Sequence, residues 1–192
     1  MEIVIASSNK GKIKEIQEIL NNYKIISLKE LNIDINIEIK EDGKTFLENA
    51  IKKATEISKF VDGKLSIADD SGIEIEYLNG FPGVHTKRWM EGTDRQRNLA
   101  ILDKLKGVPK EKRKITFITA IALTDGKDLI TAEGKIDGYV SENIRGENGF
   151  GFDEIFELYD GRTLAELSSD EKNKISSRRK ALEILKRKLA SN

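Results

Sequence analysis

Residues 66–72 read Ser66-Ile67-Ala68-Asp69-Asp70-Ser71-Gly72, a short apolar run that ends in two adjacent carboxylates, a hydroxyl and a glycine. Its apolar start predicts a strand, whose successive side chains point to opposite faces. Only one of Asp69 and Asp70 can therefore face a given cleft, and the other is expected to be structural. Two carboxylates, a hydroxyl and a glycine at one point suit a magnesium–phosphate site, and an ordinary acidic turn is the alternative interpretation.

The glycine at the end of this stretch predicts a turn, because Gly72 tolerates backbone angles that residues with a Cβ resist. Beyond it, residues 73–77 alternate between apolar and polar side chains, as a half-buried strand does, and Asn79-Gly80 predicts the next turn. We therefore expect a pair of strands that meet at the acidic sequence.

Apolar runs and amphipathic stripes alternate along the rest of the chain. Further strands are predicted at residues 3–6, 24–28, 115–123 and 129–136, the last two as a hairpin through Asp125-Gly126. One helix is predicted from Lys10, with Lys14, Glu15 and Glu18 facing water, a second from Phe46 to Val61, and a third from a capping box at Thr93 and Gln96. A long last helix is predicted from Ser168 and Glu171, with Ile175, Leu182, Leu185 and Leu189 on its inward stripe. Interleaved strands and helices with a hairpin predict one α/β domain, residues 1–192, with a mixed sheet.

Composition excludes several classes of protein. The 192 residues include 33 Lys and Arg and 33 Asp and Glu, so no net charge attracts the chain to nucleic acid or to an anionic membrane. Cysteine is absent, which excludes disulfides and thiolate chemistry, and the single histidine, His85, argues against a histidine-rich zinc site. No stretch is apolar and long enough for a signal peptide or a membrane span, so we expect a cytoplasmic protein.

The first predicted strand is followed by a candidate phosphate site. Backbone N–H groups of Lys10, Gly11 and Lys12 fall at a helix N-terminus, where unpaired donors and the helix dipole hold an anion, and Lys12 adds a full positive charge. The alternative is that Ser8 or Asn9 simply caps a surface helix.

A second candidate site is acidic. Glu38, Glu41 and Asp42 precede the second predicted helix, and one of them, with one carboxylate from residues 69–72, is enough for magnesium when phosphate oxygens and water complete the shell. The alternative is favourable placement of acidic groups near a helix N-terminus.

Two further segments carry groups that suit a nucleobase. Phe150 and Phe152 lie among glycines before Asp153, which offers an aromatic face and a carboxylate, although core packing is the usual fate of phenylalanine. In the last helix, Arg178 falls on the inward stripe and needs an anionic or acceptor partner, with Lys172 on a nearby face.

Five motifs in the same order make nearly the whole chain resemble the inosine and xanthosine triphosphate pyrophosphatase family. They are SSNKGKIKEI (7–16), GKTFLENAIKKA (43–54), ADDSGIEIEYLNGFPGVHTKRW (68–89), GFGFDEIF (149–156) and AELSSDEKNKISSRRKAL (165–182). The resemblance implies a mixed α/β fold with a long central sheet flanked by helices, two lobes around a deep cleft, and usually a homodimer. It also implies magnesium-dependent hydrolysis of ITP, dITP or XTP to the monophosphate and pyrophosphate.

The family's functional residues fall on matching positions of this chain. The resemblance implies phosphate contacts by Ser7, Ser8, Asn9, Lys10, Gly11 and Lys12; magnesium ligation by Glu41 and Asp70; catalysis by Asp70 with Ser71 beside it; and base contacts by Phe150, Gly151, Phe152, Asp153, Lys172, Ser177 and Arg178. One position departs from the pattern, since Ser177 stands where the family commonly has histidine, and a hydroxyl then replaces an imidazole.

The chemistry of the candidate residues gives a mechanistic expectation. An aspartate with an ordinary pKa of about 3.9 is a weak base at neutral pH, which favours a metal-coupled role for Asp70. Arg178 can donate to a carbonyl at purine C6 but not to adenine's amino group. Two alternatives remain: a nucleotide-binding module without hydrolysis, and a pyrophosphatase for modified pyrimidine triphosphates.

Overall fold

The computed structural model describes residues 2–31, 33 and 39–191. In these residues strands and helices interleave along the chain. The strands are β1 (Glu2–Ile5), β2 (Lys24–Ser27), β3 (Leu65–Ile75), β4 (Phe81–Pro82), β5 (Lys114–Thr124), β6 (Leu129–Val140) and β7 (Phe156–Glu157), and the α-helices are α1 (Lys10–Ile19), α2 (Phe46–Ser58), α3 (Asp94–Lys104), α4 (Ser169–Ile175) and α5 (Ser177–Ala190).

The strands form one mixed sheet in the order β2-β1-β3-β5-β6-β7, and β4 also pairs with β3. Strand β1 runs parallel to β2 and to β3, whereas β3 with β4 and β6 with β7 are antiparallel. Strands β5 and β6 are neighbours joined through residues 125–128, as the predicted hairpin requires. The predicted α/β fold with a mixed sheet flanked by helices is therefore confirmed.

The predicted turn at the acidic sequence is wrong, because β3 continues through it from Leu65 to Ile75. Gly72 is not among the glycines with a positive φ. Asp69 and Asp70 are both buried within the strand and are hydrogen-bonded by side chains of other elements. Polar residues that normally end a strand are kept in it here because tertiary partners satisfy them.

The chain divides into two compact units. The first comprises Met1–Ser71, Thr119–Gly134 and Ser177–Asn192, and the second comprises Gly72–Ile118 and Lys135–Ser176. Each has its own apolar core: Ile3, Ile5, Ile16, Ile67, Ile121, Leu182 and Leu185 contribute to the first, and Ile73, Ile75, Ile101, Ile115, Phe152, Ile155 and Phe156 to the second. The single domain and the deep cleft between two lobes stay predictions.

The long C-terminal helix predicted from the sequence is two helices. The capping box of Ser168 and Glu171 is present and starts α4, but Ser176 has extended backbone angles and separates α4 from α5. Because the helical phase is broken there, Ile175 does not join the inward stripe and is 38% exposed, whereas Leu182 and Leu185 are fully buried.

The longest helix among the described residues is α5, with 14 residues. None of the helices there has the combination of length and apolarity that crossing a membrane requires.

Candidate active site

Strand β3 places Asp69 and Asp70 on opposite faces, as the alternation of a strand dictates. The Asp69 side chain pairs with Lys12 of α1 and Arg178 of α5. The Asp70 side chain pairs with Lys53 of α2. The prediction that the two carboxylates face different surroundings is confirmed, and all these residues belong to the first unit.

On the Asp70 face, two carboxylates converge on one ammonium group. Lys53 Nζ lies 3.1 Å from Asp70 Oδ1 and 2.9 Å from Glu41 Oε1. Asn49 Nδ2 donates to Asp70 Oδ2 at 3.0 Å, and Asn49 Oδ1 in turn accepts from the backbone N–H of Gly43 at 2.8 Å. The buried amide of Asn49 therefore ties the segment that carries Glu41 to the aspartate of β3.

Burial changes the protonation chemistry on this face. Loss of solvent raises the pKa of Asp70, and the neighbouring charge of Glu41 acts in the same direction. Burial alone would lower the pKa of Lys53, but the negative charges of Asp70, Asp69 and Glu41 outweigh it and raise that pKa. Asp70 is consequently a better proton acceptor than a free aspartate, beside a lysine that stays charged.

On the Asp69 face, a buried carboxylate is surrounded by cations. Arg178 Nη2 lies 2.8 Å and Lys12 Nζ 3.2 Å from Asp69 Oδ2, and the Arg178 guanidinium also pairs with Glu15 and contacts Ser71 Oγ at 3.2 Å. Burial alone would raise the pKa of Asp69, but these cations hold it well below its usual range. The anionic partner predicted for Arg178 is confirmed.

The pKa of Lys12 is shifted mainly by burial. Burial is the largest influence on its ammonium group and lowers its pKa, although Asp69 opposes that shift. A partly desolvated cation next to the N-terminus of α1 is well suited to an anionic ligand, because such a ligand restores the interactions that water no longer supplies.

The loop before α1 confirms the capping interpretation. Asn9 is the N-cap, and its Oδ1 accepts from the backbone N–H groups of Gly11 at 3.0 Å and Lys12 at 3.2 Å. Ser7 Oγ accepts from the N–H of Asn9, while Ser8 and Lys10 are exposed. Two of the three N–H groups predicted to hold phosphate are thus already bonded within the loop.

The residues present fit a magnesium ion. Among the described residues, no three Asp, Glu, His or Cys side chains are grouped so that they could hold a metal, and Glu38 lies outside those residues. Magnesium needs only one or two protein carboxylates when phosphate and water supply the rest, and the convergence of Glu41 and Asp70 on one cation, Lys53, provides that pair.

The second unit contains the segment of residues 149–153, which we call the base segment. Asp153 Oδ2 accepts from the N–H of Phe150 at 2.9 Å and pairs with Lys172, whose Nζ lies 4.5 Å from the centre of the Phe150 ring. A Cβ on Gly149 would collide with the Asp153 carboxylate, so glycine is needed there. Phe152 is 5% exposed and packs in the core of the second unit.

Ser177 lies at the start of α5 in the first unit. Its hydroxyl is 2.8 Å from Thr119 Oγ1 of β5, and both residues are buried. The base contact implied for Ser177 stays a prediction, and the observed partner of its hydroxyl is a threonine of the sheet.

Three residues of this site were not predicted from the sequence to have a functional role. Asn49 and Lys53 lie four residues apart on one face of α2, and this spacing after an acidic segment was the available signal. Glu15 was expected to face water, which is wrong: it is 7% exposed and pairs with Arg178. Its position three residues after Lys12, on the same face of α1, was the sequence signal that indicated a place near the site.

Residues 3–188 match the sequence model of the Ham1 family. A dITP/XTP pyrophosphatase of Bacillus subtilis is 47% identical over 98% of this chain and 96% of its own length, and one of Clostridium perfringens is 46% identical over 96% and 95%. The solved Ham1 protein of Staphylococcus aureus has a TM-score of 0.86 at 36% identity, covering 100% of this chain and 99% of its own. The chain belongs to the Ham1 family.

Proposed function

We propose that the chain hydrolyses non-standard purine nucleoside triphosphates, namely dITP, ITP and XTP, to the monophosphate and pyrophosphate. The observation that carries this proposal is the convergence of Glu41 and Asp70 on Lys53, next to the Asp69 face that holds Lys12. Paired carboxylates and retained cations suit a metal–triphosphate substrate. The relatives named dITP/XTP pyrophosphatase support the choice of substrate.

Glu41 and Asp70 would hold the magnesium ion. When bound, this ion neutralises part of the triphosphate's charge and polarises the bond to be broken. Each Asp70 oxygen already accepts one hydrogen bond, from Lys53 or from Asn49, and each has a second lone pair for a further partner.

Side chains of the protein accept the proton that the attacking water loses and neutralise the charge that develops on the phosphate. A water oxygen bonds to the α-phosphorus while the bond from that phosphorus to the bridging oxygen breaks, so that pyrophosphate leaves. Asp70 takes a proton from the attacking water; in the metal-free chain burial raises its pKa, which favours that role. Lys12 and Lys53 neutralise negative charge on the phosphate oxygens as it develops.

Base selection is proposed to rest on the base segment and Lys172. Phe150 offers an aromatic face, and Asp153 and Lys172 offer an acceptor and a donor beside it. A donor placed at purine C6 bonds the carbonyl of hypoxanthine or xanthine, but the amino group of adenine leaves it without an acceptor. Selection against adenine then follows from an unsatisfied polar group.

The test is pyrophosphate release from dITP, ITP, XTP, GTP, ATP and a modified pyrimidine triphosphate, each with magnesium and with EDTA. We expect release from the first three that depends on magnesium and exceeds release from ATP by at least about 100-fold. Binding without release would identify a nucleotide-binding module. Preference for the pyrimidine substrate, or for ATP, would refute the proposed selection.

We also propose a homodimer that acts in the cytoplasm, as the family resemblance implies. The balanced charge gives no reason for binding nucleic acid or a membrane surface. Analytical ultracentrifugation tests the assembly: we expect twice the mass of one chain, and a single-chain mass at micromolar concentration would contradict it.

A further inference from the structure

Helix α3 carries polar side chains where a helix that only packs would carry apolar ones. Asn98 is fully buried, and Asp94 lies one turn before it on the same face. A buried polar residue needs hydrogen-bond partners, and the identity of these partners indicates which part of the structure this face of α3 holds. Both residues belong to the second unit, as does the base segment.

The partners of both side chains include the backbone of one residue, Gly151. Asn98 Nδ2 donates to the carbonyl oxygen of Gly151 at 2.9 Å, and Asp94 Oδ2 accepts from the N–H of Gly151 at 3.0 Å. The N–H and C=O of a residue in the middle of the base segment are therefore both held by α3.

Gly151 has no side chain with which to pack. Its φ is +64°, and a Cβ built on it would meet no atom within 4 Å. The neighbouring Phe152 is packed in the core of the second unit, and the two hydrogen bonds from α3 hold the backbone of Gly151 itself. A glycine adopts this left-handed conformation without steric cost.

The two α3 side chains are themselves fixed. Arg97 Nη1 contacts Asp94 Oδ1 at 3.1 Å, while Arg97 Nε donates to the carbonyl oxygen of Met90 at 3.0 Å. Asn98 Nδ2 also contacts Glu154 Oε2 at 3.2 Å. Since both of its contacts are acceptors, the amide of Asn98 has only one suitable orientation.

We propose that Asp94 and Asn98 are positioning residues for base recognition, an inference that rests on the proposed function. By fixing Gly151 they set Phe150 on one side of it and Asp153 on the other, and Asp153 in turn holds Lys172. Neither α3 residue acts on the triphosphate. Their loss relaxes the groups that discriminate bases and leaves the groups of the Asp70 face unchanged.

The experiment compares Asn98→Leu and Asp94→Asn with the control Asp103→Asn, an exposed position on the same helix. Steady-state kinetics are measured for ITP and ATP, and circular dichroism confirms folding. We expect KM for ITP to rise about tenfold and the preference for ITP over ATP to fall about tenfold in Asn98→Leu, with kcat within about twofold of wild type. Asp94→Asn shows a smaller change in the same direction, and the control shows none.

A purely structural role gives a different result, because partial unfolding lowers the measured kcat without changing KM or the base preference. That pattern, or an unchanged preference in folded variants, overturns the inference while the proposed function stands. If Asn98→Leu does not fold, Asp94→Asn decides by the same criteria. Absence of ITP hydrolysis by the wild-type chain overturns both.

Discussion

Asp69 and Asp70 are adjacent on one strand, yet their surroundings shift their pKa values in opposite directions. Burial favours the protonated form of each carboxyl group, but Lys12, Arg178 and Lys53 reverse this effect at Asp69 and lower its pKa. At Asp70 burial prevails and the pKa rises. One strand therefore gives its two carboxylates different surroundings: Asp69 holds the cations, and Asp70 is the carboxylate proposed for the chemistry.

The largest expected effect concerns the chemistry of Asp70. Asp70→Asn keeps the shape of the side chain but removes the charge that would hold magnesium and the site that accepts the proton. We expect kcat for ITP to fall by about 1000-fold, with a normal circular dichroism spectrum. Asp103→Asn is the matched control and should keep wild-type turnover. Near-native turnover of a folded Asp70→Asn variant would refute the assignment.

The second effect concerns the free energy of unfolding, for which we expect the substitution of Asp69 to matter more than that of Asp70. Asp69→Asn leaves Arg178 and Lys12 with one buried negative partner fewer, so we expect the free energy of unfolding to fall by about 3 kcal/mol. Asp70→Asn removes a charge whose burial is unfavourable, and we expect a change within about 1 kcal/mol. Urea denaturation at neutral pH measures both. Equal losses in the two variants would show that the faces of β3 do not differ as described.

The third effect is a dependence of stability on pH. The pKa of Asp69 is lower in the folded chain than in the unfolded chain, where it is about 3.9, so its stabilising contribution is complete above that value. It is lost as pH falls through the lowered pKa. The advantage of wild type over Asp69→Asn should therefore shrink between about pH 5 and pH 2.

The contribution of Asp70 to stability depends on pH in the opposite direction. Its pKa is raised on folding, so its stabilising contribution is present at low pH and is lost as pH rises through the raised value. Urea midpoints of wild type and both variants over this pH series check the signs. Parallel curves for Asp69→Asn and Asp70→Asn would contradict the comparison.

The smallest expected effect concerns Ser177. Its hydroxyl bonds Thr119, so Ser177→Ala should lower the free energy of unfolding by about 1 kcal/mol and change the ITP to ATP preference by less than about threefold. Thr119→Val should have the same effect, and the double variant should lose no more than either single variant. A large loss of preference in Ser177→Ala alone would instead support direct contact with the base.

The sequence predicted much of this architecture because its signals are local. The capping boxes of Thr93 and Ser168 and the apolar runs of β1 and β5 specify their elements over a few residues, and the structure has them. The error at Gly72 occurred where distant partners override local preference, because side chains of other elements keep the two aspartates before it in a strand. A second error is at Ser176, which breaks a helix whose pattern continues on both sides.

The sequence by itself determined the alternation that separates Asp69 from Asp70, because the period of a strand is a property of the backbone. It also supplied the order of motifs that identifies the family. Only the tertiary structure decided which cations surround each carboxylate, that Glu15 and Lys53 belong to the site, and that α3 holds Gly151. These contacts join residues far apart in the chain, and a pKa depends on burial and on charges in space, which no local pattern encodes.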